Sequence, residues 1–300
     1  MDKKKLRVVS TFSGIGMQER GIENTKLFDM EVVNTCEMDS DAIISYAAIH
    51  HNLTKEKVEN YSNYPSREEM AQQLADKHIG YDFVKNKPYD WQKLARSKDS
   101  KMRLQTVWLA DKLNKNVGDV CKVDRFPQCD LLTFSFPCTD ISIAGRQAGM
   151  VEGETRSGLV YEVLRILKNM KVENNLPTYL LMENVDALVN KKNINQYEAL
   201  NEEFADLGYD CKWQVLNAKN CGVPQNRARV FAIYWLKDSV DLSEFVFPLP
   251  FDDGRRLKDI LLDEVPEKYY ITNERAQALI RDLVMNDKVK PTDETIKKNK

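Results

Sequence analysis

The chain is predicted to form a doubly wound α/β sheet of Rossmann-like type, on three observations. Short apolar runs alternate with helix-length amphipathic stretches through residues 6–236. The first apolar run closes on a glycine-spaced turn, Phe12-Ser13-Gly14-Ile15-Gly16. The 300 residues are 42% hydrophobic and 30% charged, which suits one large globular domain or two smaller ones.

Leu6 to Phe12 reads as the first strand and Glu31 to Glu37 as the second, each followed by helical residues. Ser40 to His51 is helical, with Ile43 and Ala47 on its inner face. Residues 53–115 interrupt the rhythm. Ser66 and Glu69 have the spacing of a capping box before a polar helix, and Lys101 to Leu113 forms another helix. This stretch is expected to be a helical insertion. The rhythm resumes with Asp130 to Phe136 as a strand and a glycine-spaced loop. Gly158 to Met170 (helix), Thr178 to Glu183 (strand), Ile194 to Leu207 (helix), and Tyr209 to Ala218 and Arg229 to Trp235 (strands) follow. Residues 236–300 carry prolines at 248, 250, 266 and 291 and show no such rhythm. No internal repeat is present.

Composition narrows the function classes. No apolar run reaches the about 18 residues of a membrane span, and the basic N-terminus lacks a signal-peptide core and cleavage site. A cytoplasmic protein with reduced thiols is expected. The six cysteines form no C-x-x-C pair and, with three histidines in all, show no zinc spacing, so no metal is expected. The net charge of −2 carries no global mark of nucleic-acid binding. Locally, Phe83 to Arg103 holds seven basic residues (Lys85, Lys87, Lys93, Arg96, Lys98, Lys101, Arg103) interleaved with aromatics. Such a run is either a phosphate-contacting surface or a solvated face.

Ligands of doubly wound sheets sit at the carboxyl ends of the strands. Four features fall there: the Phe12–Gly16 turn, Glu37, Cys138 and Glu183. The turn lets backbone approach a ligand closely, although Glu19 stands where a dinucleotide fingerprint needs glycine. A carboxylate ending the next strand, as Glu37 does, accepts hydrogen bonds from a ribose diol. The alternative is an ordinary turn beside a solvated Glu. Cys138 ends the run DLLTFSFPC, either as a small buried hydrophobe or as a nucleophile held within a substrate's reach. Glu183, at the mouth of a pocket, can hold or donate a proton, or merely cap a helix. Arg227 and Arg229 alternate onto one face of the last strand.

The ordered set FSGIG, GDV (118–120), SFPC (135–138), ENV (183–185) and QNRAR (225–229) resembles the DNA (cytosine-5)-methyltransferases. The resemblance covers residues 6–236 apart from the insertion, and is nearest to bacterial and mollicute CpG-type enzymes. TRSGL (155–159) and LPTYLLMENV (176–185) add to it. It implies an S-adenosylmethionine-dependent methyltransferase sheet. Phe12 would stack on the adenine, with Ser13, Gly14 and Gly16 near the methionine end. Glu37 would hold the ribose, Met38 would lie against the adenine, Asp119 would accept its amino group, and Val120 would belong to the cofactor site. Pro137 and Leu159 would line the pocket. Cys138 would add to carbon 6 of a flipped-out cytosine, so that carbon 5 can take the sulfonium methyl. Glu183 would hold or protonate ring nitrogen 3, Arg229 the carbonyl oxygen, and Arg227 would orient the site. Arg146, Gln147 and Arg156 would contact double-stranded DNA, and residues 142–153 would close over the base.

The resemblance further implies a catalytic domain over 1–236, with residues 53–115 inserted. Residues 237–300 would be the start of an incomplete target-recognition region. The glycine-asparagine motif that follows that region in the family is not recognisable here. A complementing C-terminal fragment is therefore an expected partner. The protein is otherwise expected to be a monomer serving restriction-modification or phage DNA protection. The rival readings are a tRNA cytosine-5 methyltransferase, an inactive truncated DNA-binding fragment and, from the glycine turn alone, an NAD-dependent oxidoreductase.

Overall fold

The computed structural model describes residues 3–82, 87–142, 148–270 and 272–286. Six strands form one sheet in the order β2-β1-β5-β6-β8-β7. They are β1 (Lys4–Thr11), β2 (Phe28–Cys36), β5 (Leu131–Phe134), β6 (Tyr179–Val185), β7 (Tyr209–Asn217) and β8 (Ala228–Leu236). Two-residue strands β3 (Tyr81–Asp82) and β4 (Lys87–Pro88) pair separately.

The central strands β1 and β5 are buried on both faces because helices cover the sheet on both sides. All four residues of β5 are buried, as are Val8 to Thr11 of β1. Val9 belongs to the main core; Val8 points the other way and is equally inaccessible. Helices α7 (Val160–Val172) and α8 (Ile194–Leu207) bury Val163, Leu167, Leu200 and Phe204 in that core. Helix α1 (Met17–Thr25) follows the glycine turn.

The β2, β1, β5 and β6 pairings are parallel, as alternating strands and helices require. The far edge is different: β8 runs antiparallel to both β6 and β7. The ten residues from Ala218 to Arg227 contain no crossover helix, and the Ala218 amide donates to the Arg227 carbonyl to close them as a hairpin. The crossover through α8 thus places β7 one position beyond β6, and β8 fills the gap.

A second core gathers α2 (Ser40–His50) with α3 (Lys55–Asn60), α4 (Arg67–Asp76), α5 (Trp91–Arg96) and α6 (Lys101–Leu113). Ile43 and Ala47 of α2 pack there with Met70, Leu74, Trp91, Leu104 and Trp108. The capping box forms, with Glu69 N–H donating to Ser66 Oγ and Ser66 N–H to the Glu69 carboxylate. Of the basic run, Phe83 and Lys85 lie outside the described residues. Arg103 is engaged by Ser40 Oγ and Asp41 at the start of α2.

Beyond β8 the chain is largely exposed, yet it contains a helix that the sequence reading lacked, α9 (Glu274–Met285). Its signals are local: Asn273 caps Arg275 and Ala276, and Ala276, Leu279, Ile280 and Leu283 have helical spacing. Among the described residues no helix is long and apolar enough to cross a membrane.

Candidate active site

The strand ends β1, β2, β5 and β6 share one rim of the sheet. At the end of β1, Phe12 has φ 53°, Gly14 52° and Gly16 77°, so the chain doubles back in left-handed conformations. Only glycine fits at 16, where a Cβ would stand 2.3 Å from His50 Nε2 and 2.6 Å from the Tyr46 ring. The turn is laced to the end of β2: Ser13 N–H donates to the Cys36 carbonyl, and Gly14 N–H to Glu37 Oε2 at 2.9 Å. The other Glu37 oxygen accepts from the Met38 and Asp39 amides.

Desolvation pushes the Glu37 pKa up from the usual 4.5, and those three amides pull it back only in part. Protonation removes acceptor capacity from both the amides and any diol. If Glu37 holds the adenosyl ligand that the resemblance implies, affinity for it is expected to fall on acidification, beginning above the ordinary carboxylate range. Titrations of S-adenosylhomocysteine at stepped pH check this, and a flat profile from pH 7 to 5 would contradict it.

Asn116 connects the second strand to the segment carrying Asp119. Its side chain accepts from Glu37 N–H and donates to the Glu37 carbonyl, while Val117 N–H reaches the Thr35 carbonyl. Asp119 caps a short turn through Cys121 N–H, and Val120 behind it is buried.

β5 stops at Phe134, four residues before Cys138. The intervening loop is anchored twice. Ser135 Oγ accepts from Gln18 of α1, and the buried Phe136 carbonyl accepts from Asn184 Nδ2 of β6 at 3.0 Å. The Cys138 carbonyl accepts from Ile141 and Ser142, which turns the chain immediately after the thiol. Buried Asp140 then exchanges two hydrogen bonds with Ser157 (Asp140 N–H to Ser157 Oγ, Ser157 N–H to Asp140 Oδ2). This staples the outgoing loop to the turn Ser157–Leu159 that leads into α7. Pro137, Cys138 and Leu159 are half-buried; Arg156 is exposed, and Arg146 and Gln147 lie outside the described residues.

Three other thiols are disqualified by their surroundings. Burial pushes Cys121, Cys129 and Cys211 up to about 12, which keeps them protonated at neutral pH. Cys36 is buried and its Sγ donates to the Gly118 carbonyl.

β6 carries the third group. Its alternation turns Leu180, Met182 and Asn184 inward, and Glu183 with Val185 the other way. Val185 pairs with Arg229 in the antiparallel register. Arg229 Nε lies 3.1 Å from Glu183 Oε1, and Arg227 reaches the same oxygen at 3.9 Å. The Glu183 and Arg229 side chains are each 21% exposed, Arg227 49%, so the inner pair is the structured one. An open cavity of about 470 Å³, bordered by Asp186 and residues 225–229, adjoins the arginines.

The thiol, the carboxylate with its guanidinium groups, and the glycine turn with Glu37 thus stand on one rim. Residues that support them escaped the sequence reading: Gln18, Asn116, Asp140, Ser157 and Asn184. Each is a polar residue with a long-range partner; Asn184 inside ENV and Ser157 inside TRSGL lay in motifs, and Asp140 lies two residues past SFPC. Glu19, which in the sequence marks only the departure from a dinucleotide fingerprint, lies beneath the turn, 1% exposed, with Tyr46 and His50 beside it. One oxygen of Glu19, the Tyr46 hydroxyl and His50 Nε2 have no hydrogen-bond partner.

Desolvation raises the Glu19 pKa above 4.5. The folded protein then holds that proton more tightly than the unfolded chain. The contribution favours folding at low pH and is lost as pH rises from the ordinary value through the raised one. Glu19→Gln is expected to gain about 1 kcal/mol, or a few degrees in Tm, at pH 7, and almost nothing at pH 4. Thermal unfolding at the two pH values checks the difference.

Comparison with known proteins supplies the context. The model of the C-5 cytosine-specific DNA methylase family matches residues 93–299. The type II methyltransferase M2.ScrFI of Lactococcus lactis subsp. cremoris is 35% identical over 89% of this chain and 71% of its own length. The orphan methyltransferase M.SssI of Spiroplasma monobiae is 38% identical over 90% of this chain and 68% of its own. Two solved structures share the fold at low identity. The S. pombe Dnmt2 methyltransferase has a TM-score of 0.52 and 17% identity, over 93% of this chain and 66% of that one. The Entamoeba histolytica methyltransferase EhMeth has 0.53 and 14%, over 90% and 63%.

Proposed function

This chain belongs to the family of C-5 cytosine-specific DNA methylases, enzymes that methylate cytosine at carbon 5, and from that premise we propose its reaction: transfer of a methyl group from S-adenosylmethionine to a cytosine flipped out of duplex DNA, through a covalent adduct on Cys138. Membership removes the oxidoreductase reading. One observation carries the proposal furthest. Asn184 Nδ2 holds the Phe136 carbonyl, so the loop bearing Cys138 is tied to the strand bearing Glu183 and, through it, to Arg229.

The rim residues fit the cofactor. A Cβ at Gly14 would find no other atom nearer than 4.0 Å, which leaves room for a ligand against the backbone. Glu37 is a desolvated carboxylate whose bound amides leave lone pairs for a ribose diol. Asp119 would accept the adenine amino group, with Phe12, Ser13, Gly16, Met38, Val120, Pro137 and Leu159 around the remainder. When bound, S-adenosylmethionine supplies an electrophilic methyl on a sulfonium sulfur for carbon 5 to take.

The chain's own residues do the rest. Cys138 Sγ, as thiolate, forms a bond to carbon 6 and pushes an electron pair toward carbon 5. Glu183 hydrogen-bonds ring nitrogen 3, where that addition raises basicity, and Arg229 holds the neighbouring carbonyl oxygen. Arg227 steadies Glu183 from the outer side. Once carbon 5 is methylated, its proton leaves to a solvent base, the carbon–sulfur bond breaks, and the thiolate is restored. A stacked base offers no path for this attack, so the base must leave the helix. Arg146, Gln147 and Arg156 are phosphate contacts in this scheme. The setting is DNA modification in the cytoplasm, as in restriction-modification or phage DNA protection.

Transfer of labelled methyl to mixed-sequence duplex DNA tests the proposal, with tRNA as the competing acceptor. Label is expected in the duplex. Label in tRNA alone would replace the acceptor, and none in either would remove the activity.

A further inference from the structure

The inserted helices do more than add bulk beside the sheet. Their segment Lys77–Gly80, just after α4, is bonded on both sides to the two loops that flank the Glu37 rim. On one side Gly80 N–H donates to the Met38 carbonyl at 2.7 Å, next to Glu37. On the other, Asp119 N–H donates to the Lys77 carbonyl at 3.0 Å, and His78 Nδ1 lies 3.2 Å from Asp119 Oδ2. Lys77 Nζ adds bonds to Asp111 Oδ2 and the Asn116 carbonyl. The approach is close enough that a Cβ on Gly118 would stand 2.1 Å from the Lys77 carbonyl oxygen.

His78 holds φ 55°, which is costly for a residue with a side chain. The backbone turns His78 N–H back to the Ala75 carbonyl while the ring stays on Asp119. Facing a carboxylate, Nδ1 can only donate. With Cys121 N–H on Oδ1 and His78 on Oδ2, the Asp119 carboxylate is fixed in rotation and keeps lone pairs on both oxygens.

We propose that His78 is a positioning residue for nucleoside recognition: through Asp119 it orients the acceptor that reads the exocyclic amino group of the cofactor's purine, making the insertion one wall of the cofactor crevice. The proposal rests on the reading of Asp119 given above. The ring is 48% exposed, so the pair's worth lies in orientation more than in Coulomb attraction, and the effect expected is modest.

The test is calorimetric titration of S-adenosylhomocysteine, and of its analogue lacking the 6-amino group, into the full chain and two variants. His78→Ala removes the donor. His78→Asn keeps an N–H at comparable reach and tolerates the left-handed backbone. His78→Ala is expected to weaken S-adenosylhomocysteine about five-fold and to leave the analogue unchanged, with His78→Asn restoring most of the loss. Equal weakening of both ligands would reduce His78 to a structural role and overturn the proposal, as would no weakening of either. Binding of neither ligand by the unaltered chain would instead overturn the cofactor reading beneath it.

Discussion

Cys138→Ala is expected to abolish methyl transfer to duplex DNA, a loss on the order of 10⁴-fold or more, while S-adenosylhomocysteine binds as before. Carbon 5 of cytosine is a poor nucleophile until sulfur has added at carbon 6, and four of the other thiols are held protonated or engaged. Cys36 is buried and donates to the Gly118 carbonyl, and Cys121, Cys129 and Cys211 are pushed up to about 12. The hydrogen-bonding residues proposed for the cofactor, Glu37 and Asp119, lie away from the loop that carries Cys138, so the variant is expected to separate binding from chemistry. A second readout tests the covalent step itself. In duplex DNA carrying 5-fluorocytosine the methylated adduct has no proton to lose from carbon 5, so the carbon–sulfur bond persists. A denaturation-resistant protein–DNA complex is expected with the unaltered chain and absent with Cys138→Ala. Unimpaired transfer by the variant would place the nucleophile elsewhere.

Glu183→Gln is expected to lower the rate by about 10²–10⁴-fold. Gln preserves the shape and can still accept from Arg229, but it cannot give a proton to ring nitrogen 3. The affected quantity is the chemical step: kcat falls, while the KM for cofactor, set at the other end of the rim, holds. Arg229 Nε at 3.1 Å then faces a neutral amide, and some loss of order at the arginines accompanies the substitution. A variant with unchanged kcat and raised KM for DNA would make Glu183 a binding residue and remove it from the chemistry.

Much of this site is legible before folding is considered. The glycine turn, Glu37, Glu183 and the two arginines each stand at or next to the end of a strand that its own apolar run announces, whereas Cys138 sits on a loop four residues past the end of β5. The hydrophobic period is a local property, and so is a cap: Ser66 with Glu69 was readable for the same reason. Helix α9 shows that even local signals are overlooked where prolines and charge dominate the neighbourhood.

Other features depend on partners far apart in the chain. Asn184 finds Phe136 across 48 residues and Gln18 finds Ser135 across 117. Asp140 meets Ser157 across 17 residues, and an Asp or Ser reads the same whether it is stapled or solvated.

The sequence by itself determined the α/β class, the order of the strands along the chain, and the chemical groups presented at their ends, because alternation and side-chain identity are written residue by residue. Only the tertiary structure decided that β8 enters antiparallel between β6 and β7, that Glu183 is held by Arg229, and that the insertion reaches back through His78 to Asp119. Those outcomes follow from which hydrogen bonds and buried surfaces close when the whole sheet assembles, and no local period encodes such distant pairings.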